Sequence, residues 1–137
     1  MADTIRRADY FYVQLPNKPG EGLRYLTALS EGGVNLLAFS GFPEGRGAQL
    51  DFVPEDPAAF RQLARKARWK VTGPKRCFLI AGDDRVGALT EATRKLAEAG
   101  INITAVDAVV AGNGRYGAIL WVPARDAARA GRLLGAA

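Results

Sequence analysis

The sequence predicts an α+β fold of two successive β-α-β-β-α units, each an antiparallel sheet with its helices on one face. Three observations predict it. Residues 10–36 lie without a gap on residues 77–103, so that Phe11 meets Phe78, Gly20 meets Gly87, Leu29 meets Leu96, Gly33 meets Gly100 and Asn35 meets Asn102. The register runs on into two Gly-x-Gly turns, Gly45 to Gly47 and Gly112 to Gly114. After a two-residue offset, Val53-Pro54 falls on Val122-Pro123. Within each unit, short β-branched and aromatic runs alternate with stretches of helical period. Chance likeness between apolar runs does not keep glycines and asparagines in step, so an internal duplication is the simplest cause.

Each unit opens on a strand, residues 10–15 and 77–81, rich in aromatic and β-branched side chains. A helix follows, with Gly22, Tyr25, Leu26 and Leu29 on one stripe in the first unit and Leu89, Ala92, Thr93 and Leu96 in the second. Gly32-Gly33 and Gly100 stop these helices by supplying a left-handed residue. Second strands are expected over 34–42 and 101–110, then hairpins, of which Asn113-Gly114 suits a tight turn because both residues tolerate positive φ. Third strands are expected over 48–53 and 116–122. A second helix starts at Asp56-Pro57, a cap followed by an N1 proline, and buries Phe60 and Leu63; its counterpart runs from about Asp126 to Leu134. Residues 68–72 supply a fourth strand to the first unit. The second has no equivalent after its last helix, so either that strand is dispensable or a neighbouring segment takes its place. The units are expected to divide at 8–73 and 74–137. Units of about 65 residues are marginal alone, so they are expected to share an interface. This order is the ferredoxin-like plan, with the second unit lacking its last strand.

Composition narrows function. The chain has 137 residues, 48% of them apolar and 24% charged, with net charge +5 and no histidine. Its serines are Ser30 and Ser40 and its one cysteine is Cys77. No Ser–His or Cys–His pair can form, and a His- or Cys-based zinc site is out of reach. No internal disulfide is possible, which fits a reducing cytoplasm. No signal peptide or membrane-spanning run is apparent. No set of acids, lysines or tyrosines converges in sequence, so no catalytic residue, metal or cofactor is assigned and the chain is expected not to be an enzyme. Cys77 opens a strand and is expected to be buried.

With these residues in view, the chain resembles a tandem of ACT domains, small regulatory modules that bind amino acids. Their pattern is a strand, a turn of the type D-x-P-G-x-L, and a helix ending in G-I-N-I. Here it reads Asp84-Arg85-Val86-Gly87-Ala88-Leu89 with Gly100-Ile101-Asn102-Ile103, and Asn17-Lys18-Pro19-Gly20-Glu21-Gly22 with Gly33-Val34-Asn35-Leu36. The resemblance spans residues 10–135. The departures are Asn17 for the acid, Gly22 for the leucine and Val86 for the proline. It implies ligand contacts at Asn17, Lys18, Gly20, Asp84, Arg85 and Gly87, with an opposing wall from Asn35, Leu36, Asn102 and Ile103 of a partner domain. It also implies an amino-acid ligand at the seam between units or subunits, allosteric control of a separate enzyme in trans, and a homodimer. Independently of the family, a glycine at a helix start lets backbone approach a carboxylate, while Asp84 or Asn17 can accept from an ammonium. Both residues are equally suited to cap a helix. Asn35 and Asn102 are equally suited to tie down the helix-to-strand turn through backbone bonds.

A protein-interaction module without a small ligand fits the same pattern. RNA-recognition domains share the plan, but need aromatics at alternating positions of the third strand. Tyr116 and Trp121 are five apart and point to opposite faces in a regular strand, so nucleic acid is not an expected partner. The acid-free run of Arg61, Arg65, Lys66, Arg68, Lys70, Lys75 and Arg76 reads as a helix C-terminus whose cations complement the dipole, followed by a basic edge strand.

Overall fold

The computed structural model describes residues 3–137. Among these, six strands and four helices follow the order β1 (Thr4–Pro16), α1 (Glu21–Glu31), β2 (Leu36–Glu44), β3 (Gly47–Pro54), α2 (Pro57–Lys66), β4 (Thr72–Asp83), α3 (Thr90–Glu98), β5 (Ala105–Gly112), β6 (Arg115–Trp121) and α4 (Ala127–Leu134). A single 3-10 turn, Ala124–Asp126, leads into α4. The described chain divides into two compact units, Asp9–Lys75 and Arg76–Ala137, the latter joined by residues 3–8.

In the first unit β3 lies between β2 and β1, antiparallel to both, with Phe11 opposite Phe52 and Ser40 opposite Asp51. Phe11, Val13 and Leu15 alternate inward along β1. They meet Tyr25 and Leu29 of α1 and Phe60 and Ala64 of α2, pairs one helical turn apart. The core is aromatic: Phe11 stacks on Phe60 at 4.8 Å between centroids, and Tyr25 meets Trp69 at 4.7 Å. Leu26, placed on the apolar stripe by its spacing, is 37% exposed. The stripe is narrower than the pattern implies, because two residues one turn apart suffice against this sheet.

The strand expected over 68–72 begins at Thr72 instead. Helix α2 ends with Arg68 at φ 61 and a Trp69 N–H bond to the Ala64 carbonyl, a left-handed stop made without glycine. Trp69 and Val71 then turn in against the core rather than pairing in the sheet. Arg65 and Lys66 occupy the last turn of α2, where cations face the negative dipole end.

In the second unit β6 lies between β4 and β5, with Phe78 opposite Leu120 and Val106 opposite Leu120 from the other side. Phe78, Ile80, Tyr116, Ala118 and Leu120 pack with Ala92, Leu96, Ile101, Ala130 and Leu134 in a mainly aliphatic core. Strand β5 begins at Ala105, four residues later than expected. Ile101 is drawn into the core and the Thr104 N–H bonds to the Trp121 carbonyl before pairing starts. Asn113 at φ 56 and Gly114 at φ 67 make the two-residue hairpin.

The place of a last strand in this unit is taken by residues 4–8. In the sheet β1 neighbours β4. Ile5 packs against the second unit's core. The Ala137 N–H donates to the Ile5 carbonyl and the Arg7 N–H to the Ala137 carbonyl, both at 3.0 Å. The Arg7 guanidinium donates to the Ala136 carbonyl at 2.6 Å. The segment preceding the first unit thus completes the second.

Candidate functional site

Helix α1 is preceded by Gly20 at φ 87 and has no side-chain cap. Helix α3 starts at Thr90, later than the motif suggests, after a turn through Gly87 at φ 71; its cap position is Leu89, again without a side-chain bond. Neither Asn17 nor Asp84 therefore caps a helix. In the first unit the 17–20 turn closes on itself, with the Lys18 N–H bonded to the Pro16 carbonyl and the Glu21 N–H to the Lys18 carbonyl. Asn17, Lys18 and Gly20 are exposed.

Asn35 and Leu36 lie beyond the other end of α1, which is about 16 Å long for its 11 residues. Asn35 donates from Nδ2 to the Glu55 carboxylate at 3.0 Å, while its carbonyl accepts from the Glu55 N–H. It ties the turn to the end of β3 through a side chain and a carbonyl together. Leu36 is half-buried against the core. In the second unit Asn102 is exposed and Ile103 packs on the core. Within either unit, the fold does not bring the turn and the opposing-wall residues together.

What the fold does assemble is a cluster at the 84–87 turn. The Asp84 N–H donates to the Gly114 carbonyl at 2.8 Å, so the β5–β6 hairpin supports this turn. Arg85 donates to the Asp83 carbonyl at 2.9 Å, and its guanidinium forks onto Asp3 at 3.1 and 3.2 Å. The Tyr116 hydroxyl donates to the same Asp3 carboxylate at 2.8 Å. Arg115 pairs with Asp83 at 2.8 Å. The bond from Arg85 is the largest influence holding the Asp3 carboxyl below its ordinary range. Burial, then the Asp3 carboxylate, pushes the Tyr116 phenol up to about 12. The Arg115 bond likewise lowers Asp83.

Beside this cluster is a hollow of about 240 Å³ lined by Asp84, Ala88, Leu89, Tyr116 and Ala108, Val109 and Val110 of β5. Its lining is aliphatic apart from Asp84 and Tyr116, which suits a small amphiphilic molecule. Asp3, Tyr116 and the β5 residues were not among the residues expected from sequence. Asp3 and Tyr116 are 113 positions apart, and no local pattern joins them. Among the described residues no group of three or more His, Cys, Asp or Glu side chains could hold a metal ion. Among the described residues no helix is long and apolar enough to cross a membrane. Tyr116 and Trp121 are both buried and offer no stacking platform.

No protein-family model matches the chain, and no curated protein matches it in sequence. Solved structures do match. The ligand-free regulatory subunit of aspartate kinase from Thermus thermophilus superposes with a TM-score of 0.65 at 17% identity, over 98% of this chain and 95% of that one. The chain has the fold of an aspartate kinase regulatory subunit. This is the fold that the resemblance to ACT domains implies. Protein BT0572 from Bacteroides thetaiotaomicron shares it, with a TM-score of 0.76 at 16% identity, over 97% of this chain and 88% of that chain. E. coli aspartokinase III in complex with aspartate and ADP contains a region of the same fold, with a TM-score of 0.54 at 15% identity. There 97% of this chain is covered but only 32% of the enzyme. The regulatory-subunit fold thus occurs both as a separate chain and as part of a longer enzyme.

Proposed function

We propose that this chain is a regulatory protein that binds a small molecule, an amino acid, and acts in trans on an enzyme. It is not itself a catalyst in this reading. The observation that carries the proposal is the hollow at the 84–87 turn, set in a fold shared with free-standing kinase regulatory subunits. In the second unit, Asp84 takes the ammonium, Leu89 and Val110 meet the side chain, and Arg85 and Gly87 shape the turn that carries the site. Asn102 and Ile103 would serve only a ligand that reaches beyond the hollow. In the first unit, Asn17, Lys18 and Gly20 form the corresponding turn, with Asn35 and Leu36 as its distant wall. Regulation requires that the ligand bind two arrangements of the protein unequally.

A thermal-shift screen with each standard amino acid at millimolar concentration tests this. A ligand at about 100 times its dissociation constant adds roughly 2.7 kcal/mol of stability, a visible shift for a domain this small. At least one amino acid is expected to raise Tm in wild type and less in Gly87→Val. No shift with any of them removes the amino-acid reading. A second reading then gains: β5 is exposed along its whole length, with Val106, Val109 and Val110 at 41%, 66% and 53% exposure, and suits a protein-interaction surface, including a homodimer.

A further inference from the structure

Asp3 is held as a bound carboxylate would be. Both its oxygens face the Arg85 fork, at 3.1 and 3.2 Å, and Oδ2 also accepts from the Tyr116 hydroxyl at 2.8 Å. A guanidinium fork engaging both oxygens is the geometry by which proteins recognise a free carboxylate. The floor of this receptor is bare backbone. A Cβ added to the buried Gly82 would collide with Asp3 Oδ1 and lie 3.1 Å from the Tyr116 ring, so a side chain there would fill the cradle. Tyr116 belongs to two places at once: its hydroxyl completes the receptor, and it lines the hollow together with Asp84 and Leu89.

We propose that this receptor is the anion subsite of the ligand site, and that Asp3 is a tethered occupant which a ligand carboxylate displaces. This rests on the reading that the second unit binds an amino acid, and adds both the group that holds the carboxylate and a regulation of the site. Asp3 contributes only a carboxylate. A free amino acid contributes the same group, an ammonium for Asp84, and a side chain for the aliphatic wall of Leu89, Ala108 and Val110, which share a face with Tyr116. The ligand that fits is therefore an aliphatic amino acid. Displacement also has a built-in reporter, because Asp3 heads residues 4–8, the strand that completes the second unit. Ligand binding releases the anchor of that strand.

Isothermal titration of the full chain with each standard amino acid tests this, comparing wild type with Asp3→Ala, Asp3→Asn, Gly82→Ala and, as a charge control, Glu31→Gln. If Asp3 fills the receptor at least nine-tenths of the time, removing it tightens binding about tenfold or more. Asp3→Ala and Asp3→Asn are both expected to bind an aliphatic amino acid that much more tightly than wild type, with Glu31→Gln unchanged. Gly82→Ala is expected to lose binding, because its methyl fills the cradle. Asp3→Asn keeps the shape of the segment should the alanine variant fold poorly. If wild type binds an amino acid and neither Asp3 variant binds it more tightly, the tethered occupant is refuted while the amino-acid reading stands. If no variant binds any amino acid, both fall.

Discussion

The carboxyls of Asp3 and Asp51 are pushed in opposite directions, and the causes lie in what surrounds each. Asp3 is paired with Arg85 and Tyr116, which favour its charged form. Its folded value lies below the ordinary 3.8, so its stabilisation is fully present above that value and is lost as pH falls through the folded one. Asp3→Asn is therefore expected to lower Tm at neutral pH, with the gap closing in acid; a Tm series against pH reads it. Asp51 is buried on β3, and burial raises its carboxyl against the opposing influence of a Gln49 hydrogen bond and Lys75. Here ionisation costs the folded state, and stability falls as pH climbs from the unfolded value to the raised one. Asp51→Asn is expected to raise the urea midpoint at neutral pH and to lose that advantage in acid. Nothing in the local sequence distinguishes these two acids. For Asp3 the decisive neighbours come from the 84–87 turn and β6, and for Asp51 the decisive influence is its burial in β3 between β1 and β2.

At the scale of elements, all four helices end on a left-handed residue: Gly33, Arg68, Gly100 and Gly135, with φ between 61 and 72. In each, the next N–H reaches back to the last turn, as Val34 does to Leu29 and Ile101 to Leu96. The Gly33 and Gly100 stops were legible in the sequence because only glycine adopts this conformation without a steric cost. The Arg68 stop was not legible, and that is why the expected strand over 68–72 began too early. Arg68→Gly is expected to stabilise the protein by about 1 kcal/mol, since an L-residue pays roughly that amount in the left-handed region; denaturant unfolding checks it. Capping separates the helices in a similar way. The Asp56 side chain accepts from the Ala58 and Ala59 N–H groups, so Asp56→Ala is expected to cost about 1 kcal/mol. Asn17→Ala and Asp84→Ala remove no cap and are expected to leave the urea midpoint nearly unchanged. Loss of ligand binding in Asp84→Ala without loss of stability would mark a binding residue.

At the scale of the whole molecule, residues 4–8 belong with a unit whose remaining residues begin at Arg76. Each unit carries one tryptophan, Trp69 in the first and Trp121 in the second, so the two can be followed separately. Ile5 packs on the second unit's core. Ile5→Asp puts a charge against that core and is expected to destabilise the second unit. In a Trp69→Phe background, the emission of Trp121 should shift red at lower urea than in the parent. An unchanged Trp121 transition would mean that residues 4–8 contribute nothing to this unit's stability.

The sequence by itself determined the order of strands and helices, the glycine stops, the Asp56-Pro57 helix start and the Asn113-Gly114 hairpin. These depend on φ preferences, capping and hydrophobic period, which act over a few residues. It also singled out the 84–87 turn through its motif. Only the tertiary structure decided which segment supplies the second unit's last strand, and that Asp3 and Tyr116 meet Arg85. Those outcomes depend on pairing between strands far apart in the chain, which no local preference encodes. The fold of a regulatory subunit was thus written in short-range pattern, while the chemistry of its candidate site depends on long-range contact.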